Sequence, residues 1–331
     1  MKRCLIPLII IGLLINYSCK KGNARLKIDV SKIVVNIKIE RYEQVIFSIN
    51  QSEFKQKIQD LESKYPFFLE GISNDSNSLN SLQNFVKNPL NIQLFNDCQK
   101  KYPNLTSLET DLTSAFKHYK YYYPEIAIPS VYSYVSGMDF QSPIKISDNV
   151  LLISIDMYLG GEYKSYKDLG IPAYKMQAFT KELIVPDCIK EYAKSYLPKK
   201  VDNTFLSSMI EAGKIIYFVD AMMPEIADSL KIGYTSSQMD WCITNEAKVW
   251  AYFIDNTLLY NTDKVLVNKF IGEAPFTAAF SKQSPPRIGV WVGWQIIKKY
   301  MDNFPQISLK SLMLETDAQN ILMKSKYKPK K

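Results

Sequence analysis

Histidine is almost absent from this chain of 331 residues, which contains only His118. Zinc hydrolases generally use two or three imidazoles, because neutral nitrogen ligands hold Zn²⁺ while leaving it acidic enough to activate water. One histidine cannot form an H-E-x-x-H site. A serine hydrolase is also disfavoured, since the sequence has no Gly-x-Ser-x-Gly elbow. We therefore expect no metal, no cofactor, no catalytic residues, and a structural or exposed role for His118.

Long apolar runs are also missing. Residues 5–15 form an apolar run of 11 residues, interrupted by Pro7 and Gly12, and no later window offers about 18 uninterrupted apolar residues. The run follows Lys2 and Arg3 and precedes a short polar exit. This is the layout of a secretory signal rather than of a permanent transmembrane anchor.

Cysteine is scarce, and one of the five occupies a special position at the end of this signal. Cys19 directly follows the small residue Ser18, an arrangement that resembles the lipobox, in which the thiol is acylated before the signal is cut. Two or more acyl chains hold a protein stably on a bilayer. We therefore predict a lipoprotein signal peptide at residues 1–18, lipidation of Cys19, and an anchor and tether at residues 19–31. The alternative is an ordinary secreted protein with an unpaired thiol.

The charge of the chain is moderately basic. Removal of residues 1–18 takes away Lys2 and Arg3, so the net charge falls from +8 to +6. Much of the excess lies in residues 316–331, predicted as a basic C-terminal tail that could touch anionic lipid headgroups, although such ends are more often frayed and solvated. Nothing resembles a nucleic-acid-binding motif. The other three cysteines of the mature chain are widely spaced, and we expect mostly buried thiols.

Apolar spacing predicts an α+β fold, a mainly helical single domain over residues 32–315 with a small sheet. Strands are expected at residues 32–40, 130–135 and 150–155. Residues 71–82, rich in Ser and Asn, are predicted to form a loop. Thr106 and Glu109 resemble a capping box that opens a helix. The other predicted helices are 43–64, 175–196, 203–220, 236–259, 263–270 and 287–303.

Six segments carry a resemblance to a known family: AFKHYKYYYP at 115–124, VYSYVSG at 131–137, DMYLG at 156–160, MIEAGKIIY at 209–217, WCITNEAKVWAY at 241–252 and PRIGVWVGW at 286–294. Together they closely resemble the gliding motility-associated lipoprotein family (GldB), from the signal peptide to about Asn303. The resemblance implies a non-catalytic, lipid-anchored envelope protein of gliding motility or related envelope assembly. It also implies a membrane and motility-machinery or other envelope proteins as partners.

A second, weaker likeness is to a gluzincin-type metalloprotease domain that has lost its metal. Residues 210–214 would fall on the first zinc motif, with Ile210 and Lys214 in place of histidines, and Glu246 would fall on the later glutamate. This likeness implies a degenerate, zincin-like fold, a pseudo-metalloprotease. Lys214 would then pair with Glu211 and Glu246 as a buried ionic strut. The alternative is two unrelated helices with surface glutamates.

A polar pocket would suit a periplasmic ligand-binding lipoprotein, which is the alternative function; a peptidase-like hydrolase is the weaker one. Arg287 follows two prolines at a predicted helix start and could anchor a carboxylate, for which Glu246 or Asp255 are the first candidates. Lys20 and Lys21 directly follow the cysteine and favour a periplasm-facing body. The candidate residues of a vestigial site or ligand pocket are Asp156, Glu211, Lys214, Glu246 and Arg287.

Overall fold

Four short strands form the sheet: β1 (Ile39–Arg41), β2 (Ser130–Tyr134), β3 (Ile144–Ser147) and β4 (Val150–Ser154). In the computed structural model, which describes residues 24–199 and 202–329, they pair in the order β1-β2-β4-β3. Strands β1, β2 and β4 are parallel, and β3 pairs antiparallel with β4. The predicted α+β fold is confirmed. Cys19 and the predicted signal peptide lie outside the described residues.

The remaining regular structure is mainly α-helical. Its helices in the described residues are α1 (Tyr42–Phe47), α2 (Phe54–Leu61), α3 (Pro66–Leu69), α4 (Ser76–Lys87), α5 (Pro89–Lys101), α6 (Thr106–Tyr122), α7 (Lys164–Asp168), α8 (Ala173–Met176), α9 (Ile184–Ser195), α10 (Phe205–Met222), α11 (Asp228–Ile232), α12 (Ser236–Asp255), α13 (Lys264–Ile271), α14 (Ile288–Asn303), α15 (Leu309–Leu314) and α16 (Ala318–Ser325). The helices predicted near 203, 236, 263 and 287 are confirmed as α10, α12, α13 and α14.

The predicted strand at residues 32–40 is mostly an extended segment outside the sheet. Its alternating burial is real, because Val35, Ile37 and Ile39 are buried. Side chains of α6, however, take the place of a partner strand: the amide of Ile37 donates to Thr113 Oγ1 (3.0 Å), and that of Ile39 donates to Glu109 Oε1 (3.1 Å). Only the last residues of the segment therefore pair in the sheet.

The predicted capping box at the start of α6 is wrong. Helix α6 does begin at Thr106, but the residue before it, Leu105, caps it without a side-chain hydrogen bond. The Glu109 carboxylate instead binds Lys38 Nζ at 2.8 Å and the amide of Ile39. A long-range contact thus replaces the local one that the spacing suggested.

Two predictions in the N-terminal third are also wrong. The helix predicted at residues 43–64 is broken by a short 3₁₀ turn, which Asn50 begins by accepting a hydrogen bond from the amide of Ser52. The loop predicted at residues 71–82 contains the start of α4. The Asp75 carboxylate caps that helix by accepting bonds from the amides of Asn77 and Ser78, which is the usual role of Asp at an N-cap.

Two further segments differ from expectation. The helix predicted at residues 175–196 is divided, and α9 begins only at Ile184, with Pro186 in its first turn. Residues 318–325 form α16 rather than a frayed end, with Ala318 and Ile321 buried. The Asn303 side chain fixes the end of α16 by donating to the carbonyls of residues 324 and 325.

The main core is built around α10 and α14, which cross in backbone contact. A methyl group on Gly293 would overlap the backbone of Met209, and one on Gly213 would overlap the backbone of Gly293. Beside this crossing, Trp291 and Trp294 are buried, so the aromatic stripe of α14 belongs to the core. The two glycines are therefore required for the distance between the helices.

A second, smaller core cluster lies among α1–α4 and contacts β2 through aromatic rings. Tyr42 stacks on Phe68, with ring centres 3.9 Å apart, and Tyr65 packs edge-on against Tyr132. Phe67 in α3 is exposed at the surface of this cluster. The buried members of the second cluster are Tyr42, Ile46, Phe54, Ile58, Tyr65, Leu69 and Val86.

Candidate functional site

The candidates Glu211 and Lys214 lie on α10, and Lys214 is buried. The Lys214 ammonium donates to the backbone carbonyl of Glu315. Burial lowers the pKa of Lys214 to about 8, although the nearby carboxylates of Glu315 and Glu211 oppose the shift. The pocket that these residues line has a volume of only about 20 Å³, which is too small for a ligand.

Glu246 lies elsewhere, on α12. Its carboxylate accepts a hydrogen bond from the hydroxyl of Tyr327 at 2.7 Å, and it lines a different cavity from Glu211 and Lys214. The residues of the expected three-membered strut are therefore divided between two places. Tyr327 was not predicted to take part, because nothing local in the sequence relates it to α12.

Asp156 follows β4 and is completely buried. Its carboxylate accepts hydrogen bonds from the amides of Ser136 (2.9 Å) and Met138 (2.8 Å) and from the Ser136 hydroxyl. Burial raises the pKa of Asp156, and these hydrogen bonds act against the rise. The contacts fix the turn that follows β2, so Asp156 holds backbone rather than facing a ligand.

Arg287 lies in the connection before α14, with a left-handed φ of 52°. Its Nη2 donates to the carbonyl of Ile232 at 2.9 Å, and the guanidinium lies 6.0 Å from the centre of the Tyr234 ring. The expected pairing with Glu246 or Asp255 is not formed. In the part of the chain that the structure describes, the guanidinium has no carboxylate partner.

Arg287 borders a cleft of about 510 Å³. A second cation, Lys190, lies on the same wall and pairs with Asp187 at 3.0 Å. Both cationic groups approach Gly233, since a methyl group there would lie 3.6 Å from Arg287 Nη2 and 4.0 Å from Lys190 Nζ. The remaining lining is mixed and includes aromatic rings such as Tyr174, polar side chains, and the ion pair between Lys175 and Glu273. The arrangement has the chemistry to bind a small ligand that carries a carboxylate or phosphate.

An ionic network that the sequence did not predict joins α10, α11 and α14, and two of its members, Asp220 and Lys231, are buried. Asp220 Oδ2 accepts a bond from Trp294 Nε1 at 2.6 Å, and Asp220 Oδ1 lies 2.9 Å from Lys231 Nζ. Lys231 also pairs with Asp228 (3.0 Å), which pairs with Lys298 (3.1 Å). Burial raises the pKa of Asp220, while Lys298 and Lys231 oppose the rise. The sequence feature that could have indicated this network is Asp220 itself, a single acidic residue in the apolar last turns of α10.

This network borders a second cavity, of about 640 Å³. Leu26 and Lys27 from the beginning of the described chain line it, and so do Tyr327 and Lys328 from its end. Ile243 of α12 is also at its rim and is 64% exposed. The two ends of the described part of the chain therefore meet at one surface.

Comparison with known proteins identifies the class. The chain belongs to a family of gliding-motility lipoproteins. The family model, described as gliding motility protein GldB, matches residues 23–329, nearly the whole chain. No curated protein and no solved structure gave a significant match. In residues 24–199 and 202–329, no helix is long and apolar enough to cross a membrane, and no group of three or more His, Cys, Asp or Glu side chains could hold a metal.

We expect the lowered pKa of Lys214 to make stability depend on pH. The unfolded chain holds this proton up to the ordinary lysine pKa of 10.5, whereas the folded chain releases it from about pH 8. Between these values the unfolded state binds more protons, so the free energy of unfolding rises with pH. Relative to Lys214→Met, the wild type should gain up to about 3 kcal/mol between pH 7.5 and 10.5. Denaturant titrations at several pH values measure this gain.

The matched control is Lys248→Met, which removes an exposed lysine of α12. Buried tyrosines titrate equally in all three proteins and cancel in the differences. We expect the difference between wild type and Lys248→Met to stay constant with pH. A constant difference for Lys214→Met as well would contradict a neutralising lysine.

Proposed function

We propose that the protein is a non-catalytic lipoprotein of gliding motility or related envelope assembly. In this proposal acyl chains on Cys19 hold it to a membrane, its body faces the periplasm, and it contacts motility-machinery proteins. The observation that carries the proposal is the family match over residues 23–329. The lipobox-like Ser18-Cys19 lies just outside that matched region, with Cys19 four positions before its first residue.

The environment of the single histidine supports a role without catalysis. His118 is buried on α6, and its Nδ1 lies 3.0 Å from the carbonyl oxygen of Ser114, one turn earlier. A general base must reach the proton that it removes from a substrate. A ring packed against its own helix is placed for a structural role instead.

The proposed anchor is tested with Cys19→Ser in a gliding strain that lacks the chromosomal gene. Serine has no thiol to acylate, so we expect the acyl mass to be absent and the uncleaved precursor to accumulate. Membrane fractionation after a high-salt wash and mass spectrometry of the amino terminus measure both effects. Spreading of the colonies should fall to that of the deletion strain.

Ser18→Ala is the matched control, because it keeps a small residue before the cysteine and should be acylated and support spreading. Acyl mass on the Cys19→Ser protein, or a wild-type amino terminus without acyl chains, would contradict lipid attachment at Cys19. A deletion strain that glides normally would contradict the role in motility.

Ligand binding in the cleft beside Arg287 is a second candidate function. The observation that favours it is the guanidinium without a carboxylate partner in the described residues, close to Lys190 and facing a cleft of about 510 Å³. A planar guanidinium binds carboxylates and phosphates through two parallel hydrogen bonds. A ligand of that kind would complete the charge pairing on this wall.

Thermal unfolding in the presence of small carboxylate- and phosphate-bearing envelope metabolites tests this candidate. A compound that binds the folded state raises the melting temperature in proportion to the logarithm of its concentration. We expect Arg287→Gln to abolish the rise, whereas Lys282→Gln, an exposed charge change in the preceding loop, should preserve it. An equal rise in the melting temperature of Arg287→Gln and Lys282→Gln would exclude the site. No rise in the wild-type protein at any concentration of any compound would exclude it as well.

A further inference from the structure

The chain enters the fold at a fixed point. Arg25 Nη1 donates to the carbonyls of Met301 (2.9 Å) and Phe304 (3.4 Å), and Nη2 donates to the carbonyl of Ile307. The next residue, Leu26, is buried. The carbonyls at the end of α14 and in the loop after it thus bind a guanidinium, which also complements the negative end of the helix dipole.

The distance from this point to the proposed lipid is short. Arg25 is six positions after Cys19, and even a fully extended chain of six residues spans only about 20 Å. If acyl chains hold Cys19 in a bilayer, the end of α14 must stay within that distance of the headgroups. The tether thus keeps the end of α14 near the bilayer, and a second contact is needed to fix which face meets the membrane.

The last helix adds positive charge to the face around the end of α14. Lys324 Nζ lies 5.9 Å from the ring centre of Phe304, whose carbonyl binds Arg25. Asn303 donates to the carbonyls of Lys324 and Ser325. The end of α16 is therefore held beside the point where the chain enters the fold.

Positive charges outnumber negative charges on this face. Lys27 and Lys298 have carboxylate partners, Glu225 and Asp228. Asp302 at the cavity rim is exposed and has no cationic partner among the described residues. Four exposed lysines have no carboxylate partner within residues 24–199 and 202–329: Lys299, Lys324, Lys326 and Lys328. These four lysines form the basic face.

We propose that the basic face binds the anionic headgroups of the bilayer that holds the lipid on Cys19, and so fixes the orientation of the body on the membrane. This inference rests on the proposed lipidation. Basic side chains near an anionic surface are attracted over about a Debye length, roughly 8 Å at physiological salt. The short tether keeps the basic face within reach of that surface, and exposed Ile243 at the same cavity rim can enter the headgroup layer.

The test uses the full lipidated protein in vesicles with an energy acceptor on the lipid headgroups. A donor dye is attached to Ile243→Cys, near the basic face, or to Phe67→Cys, on the second core cluster. The native cysteines Cys98, Cys188 and Cys242 are buried and should not react. In vesicles rich in phosphatidylglycerol we expect at least about twofold more energy transfer from position 243 than from position 67.

A variant in which all four lysines of the basic face are replaced by glutamine tests whether their charge orients the body. We expect this variant, like the unchanged protein in phosphatidylcholine vesicles or in high salt, to lose most of the difference between the two dyes. The matched control removes the same charge from four exposed lysines elsewhere and should keep the difference: Lys55, Lys87, Lys101 and Lys164.

Three results would overturn the inference. Equal transfer from both dyes in anionic vesicles would show that the basic face is not turned toward the bilayer. An unchanged difference after loss of the four lysines would show that the basic face does not bind headgroups. Mass spectrometry of the same sample separates these from failure of the proposed function, because an amino terminus without acyl chains would overturn both.

Discussion

The contact between α10 and α14 is the constraint on which the rest of the structure depends. The two helices touch through backbone at Gly213 and Gly293, a distance that no larger residue permits at either position. This contact brings Asp220 and Trp294 within hydrogen-bond distance. It also sets the position of α14 against the core, and the carboxyl end of α14 binds Arg25. The core, the buried charges and the entry of the chain are thus geometrically linked.

The periodicity of the sequence predicted those parts of the fold in which burial and backbone conformation agree. Helices α10, α12 and α14 follow from apolar spacing. Helix α4 was not predicted, although Asp75 is a typical N-cap residue. The extended segment before β1 shows the opposite case. Its alternation reports burial correctly, but Glu109 and Thr113 on a distant helix take the place of a strand. Periodicity indicates which face is buried and not what covers it.

The candidate site was less predictable, since its geometry depends on residues far apart in the sequence. Glu246 binds Tyr327, 81 positions later, and Asp220 binds Trp294, 74 positions later. No local pattern specifies such pairs. A lysine and a glutamate on two helices suggested one ionic strut, whereas the fold places Lys214 and Glu246 in separate pockets. The chemistry of Asp220 nevertheless predicts a buried polar partner, because a lone carboxylate on an apolar helix is costly to bury without one.

The unfolding free energy of Gly293→Ala tests the central contact most directly. Alanine stabilises an ordinary helix by about 1 kcal/mol relative to glycine, and Ala251→Gly on the exposed face of α12 measures this preference in the same protein. Because a methyl group on Gly293 would overlap the backbone of Met209, we expect Gly293→Ala to lower the free energy of unfolding by about 2 kcal/mol or more. An unchanged or increased value would contradict the account, since the two helices would then not lie in backbone contact.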